Sequence, residues 1–325
     1  MHDTYILDSK LHISEEGLKH GSRLLTKNNL LLLVRGSMLW NTIPICLNKN
    51  DVAFNQDVKG IIANDTINNE FLLYWLKSKE QRLKYMVTGT GLGAGKLDTS
   101  DLLSMIVYIP AMKEQDKVAR LLSLFDERIA TQNKIIEDLK KLKSAISENL
   151  FKAVKGDVVV LSEICEIIKG KQVNGEFLSE KGKYYVMNGG TEPSGYYSDY
   201  NVEANTISIS EGGNSCGYVQ FNTSPFWSGG HCYTIQKIAD NVDNLYLYHY
   251  LKSKEDAIMN LRIGSGLPNI QKKDLVMFKI KLPTVEQQKS ISTFLSSLER
   301  KAEIEERIRN SILEEKRFLL HQMFI

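Results

Sequence analysis

Cysteine is scarce in this sequence, and the four present, Cys46, Cys165, Cys216 and Cys232, share no C-x-x-C spacing. With no paired histidines beside them, that argues against a zinc site and against a disulfide framework. The six histidines, His2, His12, His20, His231, His249 and His321, follow no metal-ligand spacing either. The six prolines are all isolated, so the Asn-Pro-Pro-aromatic signature of an amino-methylating enzyme cannot occur. No Gly-x-Ser-x-Gly nucleophile elbow is present. No window approaches the roughly 18 unbroken apolar residues of a membrane span, and the polar stretch Met1–Lys10 lacks the order of a secretion signal. A cytoplasmic protein is expected, with the short apolar run Leu30–Val34 read as a buried strand.

Charge of one sign is missing too. The net charge is +2, and residues 1–109, 110–155, 156–282 and 283–325 carry 12, 10, 12 and 7 basic against 11, 7, 14 and 7 acidic residues. No segment is a polycation, so any nucleic-acid surface must come from local placement of side chains or from partners. That remains feasible, because counterion release needs only roughly 6–10 phosphates to be met by positioned groups. What is present is apolar material, 42% of 325 residues, enough for two cores rather than one.

Those cores are related. The segment 73–80 (Leu-Tyr-Trp-Leu-Lys-Ser-Lys-Glu) returns at 248–255 (Tyr-His-Tyr-Leu-Lys-Ser-Lys-Glu), 175 residues on. At a shift of 173, Gly91 and Gly93 pair with Gly264 and Gly266, Pro110 with Pro283, Gln115 with Gln288, and Phe151 with Phe324. Each unit ends in a short apolar strand (Met105–Ile109; Met277–Leu282), a proline that suits a helix start, a short amphipathic helix and a long one. Apolar residues at spacings of three, four or seven, such as Phe125, Ile129, Ile136 in one segment and Leu298, Ala302 or Ile312, Leu319, Met323 in the other, predict about 26 residues and about 40 Å per long helix, packed together like a coiled coil.

Before each helix the pattern is β-rich. In the second unit Val158–Ile168, Tyr184–Asn188, Thr206–Ser210, Gly217–Phe221 and Thr234–Gln236 read as strands between Gly, Asn and Ser turns. The first unit starts late: Leu30–Arg35 and Val52–Phe54 correspond to Thr206–Ser210 and to the region of Phe226, leaving the counterpart of residues 156–200 mostly missing or replaced. The expected fold is α+β, with a partial first β-rich domain (1–109), a helical region (110–155), a complete second β-rich domain (156–282) and a second helical region (283–325).

The run Gly89–Leu97 fails as a phosphate loop, because Thr90 and Leu97 occupy the positions of the first glycine and of the magnesium-holding hydroxyl. It fits a dinucleotide fingerprint only loosely, and its duplicate resembles no nucleotide motif. A tight glycine loop at a binding surface explains both copies, with a purely structural turn as the competing reading. What remains is polar and basic side chains in turns, suited to base edges and phosphates. The candidates are Arg35, Asn55, Gln56 and Lys96 in the first unit, and Lys169, Lys171, Gln172, Asn188, Tyr196, His231, Arg262, Ser265 and Asn269 in the second. Ordinary solvated turns would look the same residue by residue.

The order of these features, twice over, resembles the specificity subunit of type I restriction-modification enzymes. The resemblance rests on the tandem architecture, on Ile109-Pro110 and Leu282-Pro283 leading into Glu114-Gln115 and Gln287-Gln288, and on the domain opening Leu161–Gly170. It implies a non-catalytic chain whose two recognition domains each read half of a bipartite site in double-stranded DNA. By the same resemblance, antiparallel helices set the spacer and dock methyltransferase subunits, motor and nuclease subunits complete the assembly, and S-adenosylmethionine, ATP and magnesium belong to those partners. A full family member would carry a longer first domain, so a shortened fragment serving as a protein-interaction scaffold or recombination cassette is the alternative expectation.

Overall fold

The computed structural model describes residues 4–9, 11–91, 93–264, 266 and 268–324. The chain divides into two compact units, one of residues 1–135 and 305–325, the other of residues 136–304.

The first unit holds β1 (Tyr5–Ile6), α1 (Glu15–Lys19), β2 (Arg23–Leu25), β3 (Leu30–Leu33), β4 (Arg35–Gly36), β5 (Ile45–Asn48), β6 (Val52–Phe54) and β7 (Val58–Ile61). There follow α2 (Asn69–Ser78), α3 (Glu80–Tyr85), β8 (Val87–Thr90), β9 (Ala94–Leu97), α4 (Thr99–Leu103) and the first half of α5 (Met112–Ala153). Its main sheet runs β1-β5-β3-β7, and the all-leucine β3 is central because both its faces are buried. Asn68 caps α2 by accepting from the amides of Glu70 and Phe71, and Phe71 to Leu76 are buried without interruption. One core joins β3, β5, α2, Ala119 and Leu122 of α5, and Phe324.

The second unit holds β10 (Asp157–Val160), α6 (Leu161–Ile164), β11 (Glu166–Lys169), β12 (Tyr184–Met187), β13 (Tyr196–Tyr197), β14 (Thr206–Ser210) and β15 (Val219–Asn222). It continues with β16 (Trp227–Ser228), β17 (Cys232–Gln236), α7 (Asn244–Ser253), α8 (Glu255–Met259), α9 (Lys272–Leu275), β18 (Lys279–Leu282) and the first half of α10 (Val285–Met323). Its main sheet, β11-β17-β14-β15, contains the meander of the first unit: β14 pairs antiparallel with β15 and β17 as β3 pairs with β5 and β7. Phe151 packs edge-on against Tyr246 and Tyr250, as Phe324 packs against Phe71.

Three expectations change. Each short amphipathic helix fuses with its long one, giving single helices of 42 and 39 residues, so α5 is about 63 Å long, because no glycine or proline interrupts either segment. Val158–Ile168 breaks into β10, α6 and β11, with Val160 N donating to Glu163 Oε2 at the helix start. Met105–Ile109 is not a strand. Its duplicate β18 pairs with β10, whereas the first unit has no such partner among the described residues, and Ile106 and Tyr108 are exposed.

Within each unit the two long helices lie antiparallel, and polar contacts set the register. In the first, Lys316 bonds Asp126, and Gln132 Nε2 donates to the Glu305 carboxylate. In the second, Lys143 bonds Glu299.

Candidate nucleic-acid interface

Both units build a polar tip at the same end of the shared meander. In the first, Val34 N donates to Asp57 O (2.8 Å) and Leu97 N to Val34 O (2.9 Å), which seats Arg35 directly opposite Lys96 across β4 and β9. In the second, Glu211 N donates to His231 O (2.9 Å) and Ile270 N to Glu211 O (2.8 Å), which seats Gly212 opposite Asn269. Position by position, then, Val34 corresponds to Glu211, Arg35 to Gly212, and Lys96 to Asn269. The frame repeats while the side chains it presents differ.

In the first unit Arg35 is exposed, and Lys96 is ion-paired with Asp98 at 2.6 Å. Asn55 and Gln56 are exposed in the turn from β6 to β7, and the carbonyl of neighbouring Asp57 accepts from Arg35 N at 3.2 Å, so this turn adjoins the pair. The glycine run between them is a β-hairpin. Strands β8 and β9 pair from Val87–Leu97 to Thr90–Ala94, Gly91 and Gly93 take positive φ at the tip, and Trp40 Nε1 donates to Gly93 O (3.0 Å). The glycines therefore serve a turn and a close approach within a hairpin. A Cβ at Gly95 would lie 2.7 Å from Val87 Cγ1.

The second unit gathers more of the expected set. Lys169 ends β11 with its ammonium 2.7 Å from Glu211 Oε1. Gly170 N and Lys171 N donate to Cys232 O and Ser228 O, drawing this turn against the Ser228-Gly229-Gly230 turn. Only glycine fits at 170, because a Cβ there would stand 2.2 Å from Gly229 O. Gln172 lies against Gly230, and Asn188 Oδ1 accepts from His231 N at 3.1 Å. Lys169, Lys171, Gln172, His231 and Asn269 are exposed, and Asn188 is half-buried. Arg262 is exposed after α8; burial raises the Cys216 thiol and the nearby Arg262 charge counters it. Tyr196 stands apart on β13, opposite Tyr185, with its Cβ packed on Gly182. Ser265 lies outside the described residues.

Sequence reasoning missed Glu211. Its side chain is 10% exposed, Oε1 also accepts from Tyr233 Oη at 2.9 Å, and Oε2 has no hydrogen-bond partner among the described residues, with His231 Nδ1 3.8 Å from it. Burial and the bond to Glu211 hold the Tyr233 phenol well above its usual range. The signal for Glu211 was available only by aligning it with apolar Val34 in the other copy.

No group of His, Cys, Asp and Glu among the described residues is arranged to hold a metal ion, and no helix among them is long and apolar enough to cross a membrane. Two β-rich modules bearing polar tips, alternating with long antiparallel helices, define the class of a modular recognition chain. The sequence matches the type I restriction modification DNA specificity domain family over residues 6–141 and 154–314, and the chain belongs to that family. A type I restriction enzyme MjaVIII specificity subunit from Methanocaldococcus jannaschii is 26% identical over 338 residues, covering 92% of this chain and 78% of that one. A Mycoplasma pneumoniae chain carrying the type I specificity subunit name is 35% identical over 138 residues, which span 42% of this chain and only 36% of that relative. The crystal structure of a type I restriction-modification system S subunit from M. genitalium, 21% identical, superposes with a TM-score of 0.71 over all of this chain and 89% of that one, showing a shared fold. Both β-rich modules fall within the family match, which does not favour the reading as a scaffold fragment.

Proposed function

We propose that this chain is the DNA-specificity subunit of a type I restriction-modification complex. The β-rich parts within 1–109 and 156–282 each read one half of a bipartite site in double-stranded DNA, and the helical regions 110–155 and 283–325 set the spacer and dock methyltransferase subunits. Motor and nuclease subunits then join, and S-adenosylmethionine, ATP and magnesium are bound by those partners, in the cytoplasm.

The observation that carries this reading is the repeated frame with unlike tips. Arg35 and Lys96 in one unit, and Gly212 and Asn269 in the other, occupy matching paired positions. A fold that keeps its hydrogen-bonded frame and varies the donors it presents suits two different half-sites, since base identity is read by donor and acceptor patterns. Exposed loops tolerate such change without disturbing the cores beneath.

Co-expression with a type I methyltransferase subunit, followed by genome-wide mapping of methylated adenines, tests the proposal. The expected result is co-purification and a gapped motif. Absence of any methylated motif despite a stable complex would reject it.

A further inference from the structure

A buried carboxylate oxygen without a hydrogen bond is unfavourable, so a reason is needed for Glu211. The fold does not supply one. In the first unit the same position is Val34, 6% exposed, which makes the same two backbone bonds. The charge therefore serves something at the tip rather than the frame.

Its neighbours say what. From β11, Lys169 bonds Oε1; from β17, the Tyr233 hydroxyl bonds the same oxygen and lies 3.1 Å from Ile270 O. Cys216 Sγ contacts the Glu211 carbonyl at 3.0 Å, with Arg262 the cation acting on that thiol, and buried Cys232 lies one residue beyond His231. Among the described residues Oε2 alone is left without a partner, and the ring of His231, whose side chain is 64% exposed, lies 3.8 Å from it. The 3.8 Å between Nδ1 and Oε2 is longer than a hydrogen bond, a gap that a rotation of the exposed ring would close.

Resting on the reading of this unit as a DNA-binding surface, we propose that Glu211 is a positioning residue for a DNA contact made by His231. In the bound state the ring takes one proton from solvent, donates Nδ1–H to Glu211 Oε2, and points Nε2–H at an acceptor on the DNA, a phosphate oxygen or a guanine edge. Glu211 fixes both the ring's orientation and its charge, as a carboxylate behind a ligating histidine does at metal sites. Lys169, held by the other oxygen, is aimed by the same group.

The test uses the full chain with two probes, a 40-base-pair duplex carrying the methylated motif found by mapping and a random-sequence duplex of equal length. Affinity for the motif duplex should rise as pH falls from 8 to 6, by up to about tenfold per unit for one linked proton, with proton uptake visible in the buffer dependence of the binding enthalpy. Glu211→Gln and His231→Gln should each abolish that slope, and Lys169→Met should keep it. Glu211→Val, which copies Val34, should fold with an unshifted melting temperature and also lack the slope. A pH-independent wild type, a slope that survives Glu211→Gln, or a slope lost in Lys169→Met overturns the inference while leaving DNA recognition intact. No affinity of the wild-type chain for either duplex overturns the DNA reading and this inference with it.

Discussion

Lys316 Nζ lies 2.5 Å from Asp126 Oδ1, and 173 residues away in sequence the duplicate pair, Lys143 and Glu299, repeats the contact at 2.7 Å with the helices exchanging roles. In each unit a tyrosine from the β-rich part completes the group: Tyr74 Oη donates to Asp126 (2.8 Å) and Tyr248 Oη to Glu299 (3.1 Å). Each carboxylate thus ties its domain to both long helices.

The two pairs differ in burial, and that predicts unequal costs. Lys316 and Asp126 are 10% and 15% exposed, whereas Lys143 and Glu299 are 20% and 34% exposed. Asp126→Ala strands a buried ammonium and should destabilise the first unit by about 3 kcal/mol, while Glu299→Ala, screened by solvent, should cost about 1 kcal/mol. The double change Asp126→Leu with Lys316→Met should recover most of the loss. Hydrogen exchange resolved by unit under increasing denaturant checks this, since a single melting curve would merge the units. Equal costs at the two sites would contradict the argument.

A second duplicated residue anchors the start of each long helix. Gln115, fully buried, accepts from Asn68 N and donates to Thr66 O and Pro110 O, all at 2.9 Å. Gln288 does the same with Asp243 N, Asn241 O and Pro283 O. In Gln115→Glu the second oxygen faces two carbonyls, so the introduced carboxyl has its folded pKa raised and favours its protonated, donating form. The deficit should be full at neutral pH and shrink as pH falls toward 5, read as the difference from wild type in unit-resolved hydrogen exchange. A deficit that grows on acidification would exclude this role.

How much of this was legible in the sequence depends on what kind of pattern carries it. The duplication and the helical seam are periodic, and Phe125, Ile136 and Ala302 could be read from spacing alone. Gln132 and Lys316 could not: both are buried in the seam, yet a 3.6-residue apolar count assigns polar residues to solvent. Met105–Ile109 was read as a strand from a sound apolar pattern, but a strand needs a partner, and pairing is not local information. Of the tip residues, the turns holding Arg35, Lys171 and His231 were visible as Gly-rich punctuation. Glu211 was hidden because one acidic residue before two glycines has no signature until Val34 is seen in its place.

The pH response of the second unit has an identifiable source in His249. The ring is 2% exposed, contacts Ser296 Oγ at 2.9 Å, and its pKa is pulled down to about 4 by burial first and then by the charge of Lys143. The unfolded chain therefore binds more protons than the folded one between about pH 6.5 and 4, so stability is present above that window and is lost as pH falls through it. From pH 7 to 5 the loss should be about 2 kcal/mol. His249→Gln should flatten that part of the profile in unit-resolved denaturation, and an unchanged profile would remove His249 as the cause.

The division of labour between charge and amide at the second tip gives a final, separable pair of outcomes. Lys171 and Arg262 are exposed cations without a carboxylate within 4 Å among the described residues, so each is free to meet a phosphate. Their alanine variants should weaken binding to all duplexes alike and lower the salt slope by about one unit each. Asn188 and Asn269 present amides on ordered backbone, one bonded to His231 N and the other paired with Gly212. Their alanine variants should leave the salt slope alone and relax the motif at about 1–3 kcal/mol per base contact, in one half-site only. Because Arg35 and Lys96 sit on the other unit's frame, their loss should alter the other half of the same methylated motif. If all four second-tip variants changed both halves together, two independent readers on one repeated frame would be the wrong description of this chain.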